Sequence, residues 1–152
     1  MSNSYTQIHI QAVFAVKYRA ALIAPEWRER LFKYMTTIIK NEGHKPLAVG
    51  GVENHVHILI GFRPTQALSS LILKLKRESS EWINHEGFTK SLFRWQERYG
   101  AFSYSKRDVP RVIQYILNQE AHHAKRPFRE EYLEMLRKND IEYNERYIFE
   151  DV

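Results

Sequence analysis

Lys45-Pro46-Leu47-Ala48-Val49-Gly50-Gly51-Val52-Glu53-Asn54-His55-Val56-His57-Ile58-Leu59-Ile60-Gly61-Phe62 is the stretch that decides the fold. Its two apolar runs, Lys45 to Val52 and His55 to Phe62, are joined at Glu53-Asn54, and that spacing predicts a β-hairpin. Successive strand side chains point to opposite faces. His55 and His57 therefore share one face with Leu59, while Val56, Ile58 and Ile60 share the other. One face packs and the other can bind metal. Seven histidines in 152 residues make a chance His-x-His common, so the triplet carries chemistry only if a second constellation supports it.

Outward from the hairpin, Thr6 to Val16 reads as a strand, with Ile8, Ile10, Ala12, Phe14 and Val16 alternating with Gln7, His9, Gln11, Val13 and Ala15. The second set is only partly polar, which suits a central strand. From Pro25 the period becomes helical, with Trp27, Leu31, Tyr34, Met35, Ile38 and Ile39 on one stripe and Gly43 as a left-handed cap. A second helix is predicted over Ser69 to Asn84, and a fourth strand over Ala101-Phe102-Ser103-Tyr104. Strand, helix, strand, strand, helix, strand is the ferredoxin-like, split βαβ order of an α+β protein. It gives an antiparallel sheet with both helices on one face. The first and third strands are then central, so His55 and His57 sit mid-sheet on the other face, where a further element must complete any site.

At 152 residues and 43% apolar content, the chain fits a single globular domain, with a body over 1–125 and a C-terminal extension over 126–152. No apolar run approaches the ~20 residues of a membrane span, and Met1-Ser2-Asn3-Ser4-Tyr5 lacks a basic-then-apolar leader pattern. A cytoplasmic placement is the expectation. Absence of cysteine excludes disulfides, thiolate metal sites and cysteine nucleophiles together. Residues 1–125 carry 18 Lys/Arg against 10 Asp/Glu, and residues 126–152 carry 5 against 8. A basic body with interleaved aromatics suits a polyanion with unpaired bases. Lys74, Lys76, Arg77, Arg94, Arg98, Lys106, Arg107 and Arg111 are candidate phosphate contacts, without individual assignment.

The second constellation follows Asp108-Val109-Pro110, an N-cap with proline in the first turn. A third helix is predicted from there to about Lys125, held to the body by Val112, Ile116 and Leu117. Tyr115 and Gln119 are four apart and project from one helical face. A tyrosine and an amide are thereby presented together.

With His55-Val56-His57 after a hairpin, Tyr115-Ile116-Leu117-Asn118-Gln119 in a later helix, and Phe93-Arg94-Trp95-Gln96 and Tyr99-Gly100-Ala101-Phe102-Ser103 between them, the chain resembles the single-tyrosine transposases of small insertion sequences, members of the HUH endonuclease superfamily. The resemblance covers nearly the whole length, including Asn118-Gln119-Glu120-Ala121-His122-His123. One departure is Asn54, where relatives often carry an acidic residue, so no carboxylate ligand is expected there. The resemblance implies that the tyrosine-bearing helix lies over the open face of the sheet. It further implies that His55, His57 and Gln119 bind a divalent cation and that Tyr115 is the nucleophile.

Neutral imidazoles and an amide would leave the cation's charge available to polarise a phosphate. Mixed nitrogen and oxygen ligation favours Mn²⁺, and Mg²⁺ stays open. Tyr115 would form a 5′-phosphotyrosine and release a 3′-hydroxyl, preserving the bond energy so that rejoining needs no ATP. A tyrosine near its ordinary pKa of ~10 is a weak nucleophile, so metal activation and alignment must compensate. The implied partners are single-stranded DNA with subterminal hairpins and a second copy of the chain, in a homodimer where the tyrosine helix of one subunit can serve the histidines of the other.

Other residues carry less. Glu53 shares the strand parity of His55 and could reach the metal, although a hairpin charge is the simpler reading. His122 and His123 could add a ligand or phosphate contact, but they suit the helix C-terminal dipole better. A helix is expected through Phe128, Tyr132, Leu133 and Leu136, without a legible role. The rival functions are a non-catalytic single-stranded nucleic-acid-binding module on the same sheet and a metal hydrolase. The hydrolase needs a carboxylate that the sequence does not place.

Overall fold

The computed structural model describes residues 4–124 and 126–144. Its elements begin with β1 (His9–Ala15), α1 (Pro25–Asn41), β2 (Lys45–Gly51), β3 (His55–Gly61), α2 (Leu68–Glu86) and β4 (Gly100–Tyr104). The strands form one sheet in the order β2-β3-β1-β4, with every neighbouring pair antiparallel. This is the expected ferredoxin-like α+β arrangement, with β1 and β3 central. Val16, expected in the first strand, makes only an isolated bridge to Trp95. Pro46, which has no N–H to give the ladder, sits in edge strand β2 beside a register shift.

The hairpin forms as its spacing predicts. Val52 N–H reaches the His55 carbonyl at 3.1 Å, and the carbonyls of Glu53 and Asn54 accept from the backbone N–H groups of Ile23 and Val16. The turn is thus pinned to the end of β1. Alternation then divides the sheet. Ala12, Phe14, Val56, Ile58 and Ile60 pack against Trp27, Leu31, Met35 and Ile39 of α1 and Leu71, Ile72 and Leu75 of α2. At ~1.5–3 kcal/mol per large apolar side chain buried, this layer is the main anchor of the fold.

The opposite face is covered by the C-terminal third of the chain: α3 (Val109–Leu117), α4 (Gln119–His123) and α5 (Phe128–Lys138). Val112 and Ile116 of α3 pack on Ala48 and Leu59, while Phe128 and Leu136 of α5 pack on Val13, Ala15 and Phe102. Two glycines admit these helices. A Cβ at Gly50 would run into the Ile116 carbonyl, and one at Gly100 would lie 2.7 Å from the Tyr132 ring.

Two expectations are corrected here. The third helix is not continuous to Lys125, because Asn118 leaves helical geometry at φ −100° and ψ 24° and divides it into α3 and α4. Asparagine competes poorly for helix interiors, and the bend turns α4 toward the sheet. Leu117 does not hold the helix to the body; it is 59% exposed, and Val112 and Ile116 do that work. The expected endpoint Lys125 and the tail over 145–152 lie outside the described residues. No helix among the described residues is long and apolar enough to cross a membrane.

Candidate active site

His55 and His57 are fully buried at the centre of the covered face, on β3 beside Ala15 and Val13 of β1. Their rings meet edge to face at 5.1 Å, and Phe128 of α5 stacks on His55 at 3.9 Å. Burial lowers the His55 pKa to about 4, so this imidazole is neutral near pH 7, as a metal ligand must be. Its Nδ1–H donates to Asn54 Oδ1 at 2.7 Å, which leaves the Nε2 lone pair facing the site. Asn54, noted in the sequence only for lacking a carboxylate, orients the ring.

Gln119 is also buried, with Oε1 3.1 Å from His55 Nε2. The bend at Asn118 and an ion pair at 3.1 Å between Arg28 and Glu120 fix α4 in this position. Tyr115 lies at the other side of the pair, its ring 5.8 Å from that of His57. The structure therefore gathers His55, His57, Gln119 and Tyr115 at one locus.

At the centre of that locus is a residue the sequence reading did not single out. Glu131, in the first turn of α5, is 2% exposed. Its Oε1 lies 3.1 Å from His57 Nε2, 3.1 Å from His123 Nε2 and 3.4 Å from His55 Nε2. Its Oε2 accepts hydrogen bonds from the Tyr115 hydroxyl and, at 3.3 Å, from Gln119 Nε2. Burial alone would raise the Glu131 pKa, but hydrogen bonding to the surrounding imidazoles, His123 first, outweighs it and holds the carboxyl well below its ordinary value. Burial, then the Glu131 charge, pushes the Tyr115 phenol well above its ordinary value.

His123, in the last turn of α4 as the dipole reading expects, also points into the site, its Nε2 3.1 Å from Gln119 Oε1. His122 is exposed, with its ring against Tyr115 at 4.6 Å. Glu53 is exposed at the hairpin and joins nothing here.

One ligand atom each from His55, His57 and Glu131 lies within 4.8 Å of the others. Nitrogen lone pairs and carboxylate oxygens crowded this closely, away from water, repel unless a proton or a cation lies between them. The donor set fits a divalent metal, with imidazole nitrogen and carboxylate oxygen suited to Mn²⁺ and not excluding Mg²⁺. The carboxylate adds a negative charge beside the imidazoles and amide expected from sequence.

The candidate phosphate contacts separate. Lys76 donates to the carbonyls of Gln96 at 2.6 Å and Arg98 at 2.9 Å, above the Phe14 and Tyr99 rings, so its charge is used inside the protein. Lys74 pairs with Glu42 at 3.0 Å. Arg77 and Arg94 line an open groove of about 470 Å³ with Lys17 and Trp95. Arg111, 3.6 Å from Asp108, lines a cavity of about 300 Å³ beside Tyr115. Arg98, Lys106 and Arg107 are exposed.

This architecture is shared. A crystal structure of a candidate transposase from Deinococcus radiodurans R1 superimposes with a TM-score of 0.64 at 21% identity, covering 78% of this chain and 95% of that one. A REP-associated tyrosine transposase bound to a REP hairpin gives 0.55 at 14% identity, covering 76% and 68%. No curated protein matches the chain. The profile of the family described as "Transposase IS200 like" matches residues 4–119, a span that takes in both histidines, Tyr115 and Gln119 and stops short of His123 and Glu131. The chain belongs to the IS200-like transposase family.

Proposed function

We propose that this protein cleaves and rejoins single-stranded DNA ends, with Tyr115 as nucleophile and with His55, His57 and Glu131 holding a divalent cation beside Gln119. The observation that carries the reading is the position of Glu131, whose one oxygen faces the imidazoles and whose other accepts the hydrogen bond of the Tyr115 hydroxyl. Nucleophile and ligand set are thereby held within one carboxylate's width. A divalent cation bound there supplies Lewis-acid polarisation of the scissile phosphate.

The chain's own groups supply the rest. Tyr115 Oη attacks phosphorus, the bond from phosphorus to the 3′ oxygen breaks, and the products are a 5′-phosphotyrosine and a strand ending in a 3′-hydroxyl. Glu131 Oε2 is in place to receive the phenol proton, and the departing 3′ oxygen takes up a proton from solvent to end as the hydroxyl. Gln119 Nε2, donating to that same oxygen and to the Tyr115 carbonyl, keeps the carboxylate and the α3 turn in register, an alignment effect. Attack by a 3′-hydroxyl on the phosphotyrosine reverses the step and joins strands. The groove holding Arg77 and Arg94 supports a path for the DNA backbone. The hairpin-bound neighbour supports hairpin-marked ends as substrate. Tyr115 and both histidines meet within one chain, which favours a tyrosine serving its own subunit's metal site even in a homodimer.

The test is a labelled single-stranded terminus incubated with protein and Mn²⁺ or Mg²⁺. Wild type should form a covalent protein–DNA adduct, and Tyr115→Phe should form none. Full adduct in Tyr115→Phe would overturn the assignment. The presence of Glu131 also strengthens the metal-hydrolase reading, which predicts cleavage by water and no adduct in either protein. A pure binding module predicts neither cleavage nor a metal requirement.

A further inference from the structure

His55 and His57 are both buried ligand candidates, yet their outward nitrogens are held in opposite ways. The Nδ1 of His55 meets an amide oxygen, Asn54 Oδ1, so its proton sits on Nδ1 and its Nε2 is ready to coordinate. The Nδ1 of His57 meets an amide nitrogen, Gln11 Nε2, at 2.9 Å. In that arrangement Nδ1 is the acceptor, the ring proton sits on Nε2, and Nε2–H donates to Glu131 Oε1. A neutral imidazole cannot donate from Nε2 and bind a cation through it. His57 is therefore held in the metal-free tautomer.

Gln11 is 1% exposed, on β1 two residues along from the partner of His57, and it faces the same side of the sheet. Its oxygen accepts from the Tyr104 hydroxyl at 3.0 Å. An amide keeps its outline when oxygen and nitrogen exchange places, and a hydroxyl can both donate and accept. Turned over, Gln11 would accept from His57 Nδ1–H and donate to Tyr104 Oη, so every buried polar atom stays paired. Gln11 and Tyr104 both line the 300 Å³ cavity, which leaves the amide space to rotate. No net charge is gained or lost.

We propose that Gln11, backed by Tyr104, is the positioning residue that selects the tautomer of His57, and that its amide turns over when a divalent cation enters the site. The inference rests on the proposed cation site. Outer partners of ligating imidazoles fix tautomer and orientation, and their loss typically costs about 10–100-fold in metal affinity.

Two measurements test it. In metal-free protein, imidazole ¹⁵N spectra should show His55 protonated on Nδ1 and His57 on Nε2, and saturation with diamagnetic Zn²⁺ should move the His57 proton to Nδ1. Calorimetric titration with Mn²⁺ should show roughly 10–100-fold weaker binding to Gln11→Met. Gln11→Glu offers only acceptor oxygens and should show His57 protonated on Nδ1 before any metal is added, with Mn²⁺ affinity no weaker than wild type. A metal-free His57 protonated on Nδ1, or Gln11→Met binding Mn²⁺ as tightly as wild type, would overturn the proposal. Wild type that binds no Mn²⁺ would instead overturn the cation site beneath it. The metal-free spectra stand independently of both titrations and of whether either variant folds.

Discussion

Tyr115 gives its hydroxyl hydrogen bond to Glu131, sixteen residues further along the chain and on a different helix. The nucleophile proposed from the sequence is thereby tied to a carboxylate beyond the span that the family profile covers. Replacing Glu131 by Gln keeps the shape and removes the charge. Two effects are expected in separate assays: Mn²⁺ affinity should fall at least tenfold, and the Tyr115 phenol should ionise at lower pH, because the Glu131 charge that helps burial to raise its pKa is gone. Calorimetry reads the first and the tyrosinate absorbance reads the second.

Stability should respond to acid through His55. Its folded pKa is about 4 against an unfolded value of ~6.5, so between those values the unfolded chain binds more protons. Stability therefore rises with pH in this window and is lost as pH falls. At pH 5 the loss from this group is ~2 kcal/mol relative to pH 7. Urea unfolding in chelator should show it, and His55→Gln should show a smaller fall over the same range.

Mixing two inactive proteins distinguishes the subunit arrangements. If Tyr115 serves the histidines of its own chain, His57→Ala combined with Tyr115→Phe should leave adduct formation at background in co-refolded material. Adduct recovered well above background would mean that the helix crosses between subunits.

Basic residues should divide by where their charge is used. Arg77→Ala and Arg94→Ala should each weaken single-stranded DNA binding and reduce the slope of log K against log salt by about 0.7–1, with little change in Tm. Lys76→Met should instead lower Tm, since it leaves two carbonyls without their donor. Fluorescence anisotropy across a salt series, beside thermal melts, checks both.

The legible part of this molecule was what alternation and turn chemistry encode. The parity of His55, His57 and Leu59, the Glu53-Asn54 turn and the central place of β1 and β3 all follow from a period of two. Tyr115 and Gln119 were legible as a pair because of their spacing in a helical stretch. Glu131 was not, since it entered the sequence as one acid in an acidic extension whose function had no pattern. The signal was present nonetheless: Glu131 follows Phe128 by three residues and borders a stripe continued by Tyr132 and Leu136, where a charge must have partners. Gln11 was equally hidden, as a polar residue on a face read only as partly polar. The spacing predicts a continuous helix through Asn118, yet the departure of that residue from helical geometry is what aims Gln119 and His123.

Where α3 crosses β2, Gly50 lets main chain rest on main chain. The standoff between the tyrosine-bearing helix and the sheet of histidines is consequently peptide against peptide at its closest point, with Val112 and Ile116 seated on Ala48 and Leu59 around it. The exposed surface of α3 can drift freely in composition while the reach of Tyr115 stays constant, because its gauge is a hydrogen atom at position 50.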